Sequence, residues 1–437
     1  MDRSREGTRV RLSIERLAYG GDGVATGPDG RVAFVRGGCP GDLVDAEVYE
    51  EHARFVRARI LEVVRPSPWR VAPPCEHFGT CGGCQWQHVA YPQQLEWKRR
   101  AVADALARIG AVHAPVDETA ASPLEYGYRN KVELVPRPGS PTCALGFARA
   151  GSSEVVAVRR CLLLPEERSG LPRAAAGALG FVLKRSQTPV TRVVIRCARD
   201  GETEIDLWTP PGPFPRALAA KALVDATGAR TVTRVVVRGP ASARDVRKVE
   251  VLAGPGAWKE VLDGDRYLVS APSFFQVNTA AAAELRRLVA RAVREANPDH
   301  VVDAYAGVGT LTLPLARITR TTAIESSASA LADLRRNLAH ARLDARVLPG
   351  DAAHALSEAG PADVVVVDPP RAGLSRTALD AVVATAAARL VYVSCDPATL
   401  ARDAKILSDA GFEAVRVTPV DLFPQTYHVE TVAVFDR

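Results

Sequence analysis

From about Pro298 onward the chain alternates between short apolar runs and helix-length segments, and that rhythm constrains its fold more than any other feature. HVVDAYAG, TTAIESS, ARVLPGDA, DVVVVDPP and RLVYVSCD have strand character, rich in β-branched residues and closed by turn formers. LTLPLARI and ASALADLRRNLAHARL are helical, further helices separate the later runs, and ETVAVF supplies a short last strand. Strands that alternate with helices form a parallel sheet covered on both faces, so the segment predicts a doubly wound α/β domain. In such sheets ligands sit at the carboxyl ends of the strands, which makes each strand end a place to look for chemistry.

A chain of 437 residues is too long for one core, so further domains precede this one. Residues 1–68 read as a small β-barrel. Alternating runs such as Arg9–Ile14 and Leu43–Val48 are separated by the turn pairs Gly20-Gly21, Asp29-Gly30 and Gly37-Gly38. Pro66-Ser67-Pro68 closes the segment. Its arginines and acids nearly balance, so a nucleic-acid face would have to come from arrangement. Residues 69–262 hold a cysteine-rich stretch, a helix from Tyr91 to Ile109 and then mainly β runs, with helical interludes near 165–183 and 216–226. They read as a mixed α+β middle domain, leaving 263–437 for the doubly wound fold. A net charge of +6 is compatible with nucleic acid without demanding it. The first residues carry no signal-peptide core, and no apolar run reaches membrane-spanning length. The expected setting is cytoplasmic with no membrane partner. Cysteines there stay reduced, and clustered ones suggest a metal.

Four strand ends carry polar groups. Asp303 precedes Gly307 and Gly309 at the first strand-to-helix turn, where glycine lets a ligand approach the backbone. A dinucleotide fingerprint would place a third small residue where Thr312 stands, so a nucleoside without pyrophosphate, such as S-adenosylmethionine, fits better. Glu325 ends the next strand at the spacing of a ribose-binding carboxylate, and Asp351 ends the third, suited to an adenine edge. Asp368 ends an all-valine strand, and Pro369-Pro370 stiffen the loop beyond it. Arg371 follows where amino-methylating enzymes place an aromatic residue, which argues against chemistry on an exocyclic nitrogen. Cys395 stands where VYVS gives way to DPATLARD. Alone, it reads as a buried structural thiol or as a nucleophile.

The motifs SCDPATLARD, DPPRAG, FFQVN at Phe274–Asn278 and HVET at His428–Thr431 together resemble the RNA uracil-C5 methyltransferases, over essentially the whole chain. The early barrel resembles the RNA-binding TRAM domain of many members. The resemblance implies a Rossmann-like methyltransferase domain using S-adenosylmethionine, with Cys395 as nucleophile and Glu430 as base. It implies a methyl-donor pocket lined by Gln276, Tyr305, Thr310, Glu325, Asp351 and Asp368; many members have Asn where this chain has Thr310. The chemistry explains the residue types. C5 of uracil is a poor nucleophile, but a thiolate adding at C6 turns C5 into an enolate carbon. After methyl transfer a general base must take the C5 proton before the thiol can leave.

Cys75, Cys81 and Cys84 form a C-x5-C-x2-C run and Cys161 stands apart. Four thiolates suit zinc or an iron–sulfur cluster, and three-plus-one spacing is the more cluster-like. The resemblance implies a [4Fe–4S] cluster on these four. Cys39, Cys143 and Cys197 read as packing residues. Members with both barrel and cysteine set act mostly on large-subunit ribosomal RNA, which is the expected partner of a monomeric chain. Transfer RNA is the alternative substrate. An RNA cytosine-C5 methyltransferase and a non-catalytic RNA-binding iron–sulfur protein are the alternative functions.

Overall fold

The computed structural model describes residues 7–137, 143–199, 201–239 and 245–437. The doubly wound segment forms a seven-stranded sheet. From edge to edge its strands run Arg346–Pro349, Arg320–Glu325, His300–Ala304, Val364–Val367, Arg389–Ser394, Glu430–Asp436 and Glu413–Val420. All are parallel except Glu430–Asp436, which pairs antiparallel with both neighbours. The chain works outward from the third place to one edge, then crosses back to Val364–Val367. The crevice at that reversal is where such sheets bind ligands.

Sequence explains the packing. All four residues of Val364–Val367 are buried because helices cover both faces of the sheet. Each valine so buried contributes about 1.5–3 kcal/mol relative to exposure. The helix Thr279–Ala296 starts where the side chain of Asn278 accepts from the N–H of Ala281, and it turns Ala281, Leu285, Leu288, Val289, Ala292 and Val293 inward. A hairpin, Ala257–Leu262 with Asp265–Ser270, buries Trp258, Tyr267 and Val269 against Val308, Leu313 and Leu334 of the same domain.

The N-terminal segment is a six-stranded sheet in the order Arg9–Ser13, Leu43–Glu51, Phe55–Arg65, Val32–Arg36, Gly23–Thr26, Arg16–Leu17. Leu12 and Ala25 lie on strands four places apart yet share one core with Val35, Val44 and Ala58, so the sheet curls into a small barrel. The middle segment is a seven-stranded mixed sheet with the helices Leu171–Leu183 and Arg216–Thr227 packed on its core through Ala175, Leu179, Ala219 and Leu223. Every residue of its strand Thr203–Thr209 is buried.

Candidate active site

Cys395 is the single residue between a sheet strand and a capped helix. Ser394 Oγ donates to the carbonyl of Asp396 (3.0 Å) and accepts from its N–H (3.2 Å), which closes the turn. The Asp396 carboxylate then accepts from the N–H groups of Ala398 (2.9 Å) and Thr399 (3.1 Å), and Pro397 opens the helix Pro397–Asp409. The thiol stands half-buried at the sheet edge.

Register supplies its neighbours. Ser394 pairs with Thr431 across the antiparallel ladder, so the next step outward sets Cys395 beside Glu430 in strands about 4.8 Å apart. On the other side Val367 pairs with Tyr392, which brings the following Asp368 to the same edge. Burial pushes the Cys395 thiol up to about 12, aided by Glu430 and Asp368 and opposed by Arg371. Burial and then Asp368 hold Glu430 well above the usual carboxylate range, again opposed by Arg371. Asp368 is pushed up to about 7 by burial and by Asp303. Asp303 is likewise raised to about 7 by burial, although Thr312 Oγ1 donates to it at 2.6 Å. The acids form a row along the crevice that holds negative charge poorly, an environment that favours a cationic ligand.

Two loops are braced around this row. The Arg371 carbonyl accepts from Thr399 Oγ1 (3.3 Å), and Arg402 donates to the carbonyl of Ala372 (2.9 Å). The buried Asp403 takes the N–H of Leu374 (2.9 Å) and the hydroxyl of Tyr392 (2.7 Å). The loop leading to Glu430 is held from the cysteine-rich segment and the helix Tyr91–Ala105. Gln85 and Trp86 both donate backbone N–H to the Gln425 carbonyl at 3.0 Å. Gln94 exchanges two hydrogen bonds with Gln425 (2.9 and 3.0 Å), and Lys98 Nζ donates to Asp421 at 2.6 Å, both residues fully buried.

The other residues singled out in the sequence fall as follows. Tyr305 has φ +73°, a conformation rare for a non-glycine residue and concentrated at functional sites. Gly309, at φ +97°, approaches Leu313 and Leu334 so closely that a Cβ would lie 2.8 and 2.9 Å from their methyls. Thr310 lies half-buried in the same turn. The Glu325 carboxylate accepts from the N–H of Gly307 (2.8 Å) and of Ser327 (2.6 Å), so it also fixes the glycine turn. Asp351 is exposed and caps the helix Ala352–Ala359 through the N–H of Ala353 (2.9 Å). Gln276 is buried, its carbonyl accepting from Asn130 Nδ2 (2.8 Å), and the adjoining Phe275 packs with Ala306 and Val308 of the glycine turn.

Cys75, Cys81, Cys84 and Cys161 line one cavity of about 80 Å³ together with His77 and Arg129. Burial raises the thiols of Cys81 and Cys161 and pushes Cys84 up to about 12. The Arg129 Nε is buried there and meets no hydrogen-bond partner among the described residues. Among the described residues, no three His, Cys, Asp or Glu side chains are placed to hold a metal ion. Cys39, Cys143 and Cys197 are buried away from this cavity.

Sequence reasoning missed an aromatic group at the mouth of the site. Tyr427 lies against His428, ring centroids 4.2 Å apart, and Tyr19 of the barrel meets Tyr427 edge-on at 5.3 Å. The Tyr19 hydroxyl donates to Asp396 at 3.4 Å, across 377 positions of chain. Burial lowers His428 to about 4, so it is a neutral ring at pH 7. His428 opens HVET and Tyr427 directly precedes it, so that motif marks their place; nothing local marks Tyr19.

Comparison with known proteins adds the following. Residues 264–437 match the family model described as tRNA (uracil-5-)-methyltransferase, and residues 3–61 match the TRAM domain. The chain is 36% identical to an uncharacterized RNA methyltransferase of Gloeobacter violaceus, over 99% of this chain and 97% of that one. It is 31% identical to one from Halalkalibacterium halodurans, over 98% and 96%. Among solved structures it is similar to the Pyrococcus abyssi tRNA (uracil-54, C5)-methyltransferase in complex with S-adenosyl-L-homocysteine. That match has a TM-score of 0.75 and 26% identity, and covers 97% of this chain and all of the other.

Proposed function

Since this chain belongs to the RNA uracil-5-methyltransferase family, we propose that it methylates a uridine through a covalent bond between Cys395 and C6, with Glu430 as the base that frees the product. The observation that carries this reading is the sheet register that sets Cys395 beside Glu430. The Cys395 thiolate adds to C6, and the electron pair moves through C5 toward the C4 carbonyl oxygen. C5, now an enolate carbon, takes the methyl group. S-adenosylmethionine supplies that group as an electrophile on a cationic sulfur. The C5 proton then passes to the Glu430 carboxylate, and the electron pair of that C–H bond expels the Cys395 thiolate from C6. Burial, which raises Glu430's affinity for protons, makes it the better acceptor for a carbon-bound proton. Tyr305, Thr310, Glu325, Asp351, Asp368 and Gln276 would hold the methyl donor, and the acidic row suits its positive charge.

The four cysteines fit a [4Fe–4S] cluster. They surround a shared cavity rather than a point, and the Arg129 guanidinium can offset the charge of the thiolates. Held by Cys75, Cys81, Cys84 and Cys161, such a cluster would tie four separate positions of the chain together. Cys84 directly precedes Gln85 and Trp86, whose N–H groups hold Gln425 ahead of Glu430, so the cysteines shape the wall of the site. Residues 1–68 serve RNA binding, 69–262 carry the cysteine site and 263–437 perform transfer, in a cytoplasmic monomer. Large-subunit ribosomal RNA is the proposed substrate, on the joint presence of barrel and cysteine set. A second reading, transfer RNA, is favoured by the whole-chain similarity to a tRNA enzyme.

Glu430→Gln and Cys395→Ala test the roles. The first should form an RNA adduct that survives denaturing electrophoresis and carries label from the methyl donor, with methylated uridine on the Cys395 peptide. The second should form none. An adduct in Cys395→Ala, or wild-type turnover in Glu430→Gln, would assign the roles elsewhere. Mass mapping of 5-methyluridine in a deletion strain separates ribosomal from transfer RNA.

A further inference from the structure

A cavity of about 230 Å³, lined in part by Tyr19 but not by Tyr427, opens between the barrel, the helix Tyr91–Ala105 and the start of the helix that follows Cys395. Tyr19 is shared by the two places. It lines this cavity, and its hydroxyl reaches Asp396, next to the thiol. Pro397 and Ala398 form part of the wall, so the cavity begins two residues from Cys395. The site mouth and this cavity are therefore neighbours separated by one tyrosine.

Its lining has the chemistry of a nucleotide. Arg16, Arg100 and Arg108 line it with one acid, Asp104, which lies 3.7 Å from Arg108, while Arg100 Nε donates to Glu96 at 2.6 Å. The Arg100 guanidinium carbon sits over the Trp97 ring, 4.7 Å from its centroid, so the two groups together offer a platform. Arginine planes and aromatic rings are the surfaces on which proteins stack unpaired bases, and arginines meet the phosphates between them. The Trp97 indole N–H is buried and meets no acceptor among the described residues. Leu17, Ala101 and Ala105 supply an apolar floor.

We infer that this cavity takes a nucleotide flanking the target uridine in the same RNA strand, its base on the Arg100–Trp97 platform and its phosphate toward Arg16 and Arg108. The inference rests on the proposed RNA-uridine reading of the Cys395 site. A base extruded from its stack leaves neighbours in need of partners. Here the barrel, through Arg16 and Tyr19, and the helix behind it supply one. The barrel then does more than add affinity: it builds one wall of a subsite beside the thiol.

The test uses the full-length enzyme and a synthetic RNA stem-loop it methylates, with the nucleotide on either side of the target made abasic in turn. With wild type, one of the two abasic RNAs should raise KM about tenfold, the scale of one lost base stack, with kcat little changed. With Arg100→Ala, exposed and therefore tolerant of replacement, the intact RNA should bind about tenfold worse and the abasic penalty should fall to within about twofold. An RNA carrying 4-thiouridine at the sensitive position should photo-crosslink to the peptide containing Trp97 and Arg100. An abasic penalty of equal size in wild type and Arg100→Ala, or crosslinks confined to other segments, would overturn the subsite. The crosslink reads RNA position whatever the chemistry, so a wild type that methylates another atom would overturn the uracil-C5 reading while leaving the subsite decided on its own result.

Discussion

The reactivity of Cys395 toward a small alkylating agent follows from its surroundings with a defined size. An ordinary cysteine ionises near 9, whereas burial beside Glu430 and Asp368 pushes this thiol up to about 12. At pH 8 about one in ten ordinary thiols is ionised, against about one in ten thousand at Cys395. The more basic thiolate is intrinsically more nucleophilic, and a Brønsted coefficient of about 0.45 recovers roughly 1.4 of those three decades. Iodoacetamide should therefore modify Cys395 about 40-fold more slowly than a free cysteine peptide in the same tube. The logarithm of its rate should climb with unit slope through pH 10, where the peptide has already levelled off. Glu430→Gln removes the largest of the anionic contributions, ahead of Asp368 and Asp396, so labelling should accelerate at every pH where Glu430 is ionised. Arg371→Gln removes the opposing cation and should slow it. Mass spectrometry of the Cys395 peptide gives the rates. A plateau at or below pH 8 in wild type, or slower labelling in Glu430→Gln, would refute the electrostatic account and point to a thiolate activated in the free enzyme.

Three further outcomes are expected. Asp303 titrates near 7 when folded and near 3.8 when unfolded, so the native state holds its proton more tightly and stability falls as pH rises through that window. Asp303→Asn should abolish that loss, gaining up to about 4 kcal/mol relative to wild type between pH 4 and 8 in urea unfolding; a difference independent of pH would contradict it. Lys98→Met strands the buried Asp421 carboxylate and should cost about 3–5 kcal/mol, with Glu430's loop loosened in hydrogen exchange; a change under 1 kcal/mol would mean the pair does not brace the loop. Protein purified without oxygen should be brown with near-equal iron and sulfide, and Cys81→Ser or Cys161→Ser should bleach it; zinc in place of iron, with full activity, would overturn the cluster assignment.

How much of this was legible in the sequence depends on how far apart the partners lie. The alternating strands and helices, Cys395 at a strand end and the glycine turn before Thr312 are local patterns, and local sterics and hydrophobic periodicity suffice to write them. The motif set pointed to a family because those short stretches keep their residue order. Asp351 was readable as a strand-end acid, but its service as a helix cap emerges only when the next helix is seen to start on it. Glu325 likewise turned out to hold the N–H of Gly307, a bond between two consecutive strand ends. What sequence could not show is which distant segments share a wall. Cys395 and Glu430 meet because the last strand runs antiparallel, Arg129 enters the cysteine cavity from between Cys84 and Cys161 in the chain, and Tyr19 reaches Asp396 from the other end of the chain. Such contacts leave no periodic signal, since their partners are chosen by how whole sheets and helices pack. The raised proton affinities follow the same rule: a carboxyl carries no mark of burial in its own neighbourhood of sequence, and only the assembled interior removes the water that would have kept it ionised.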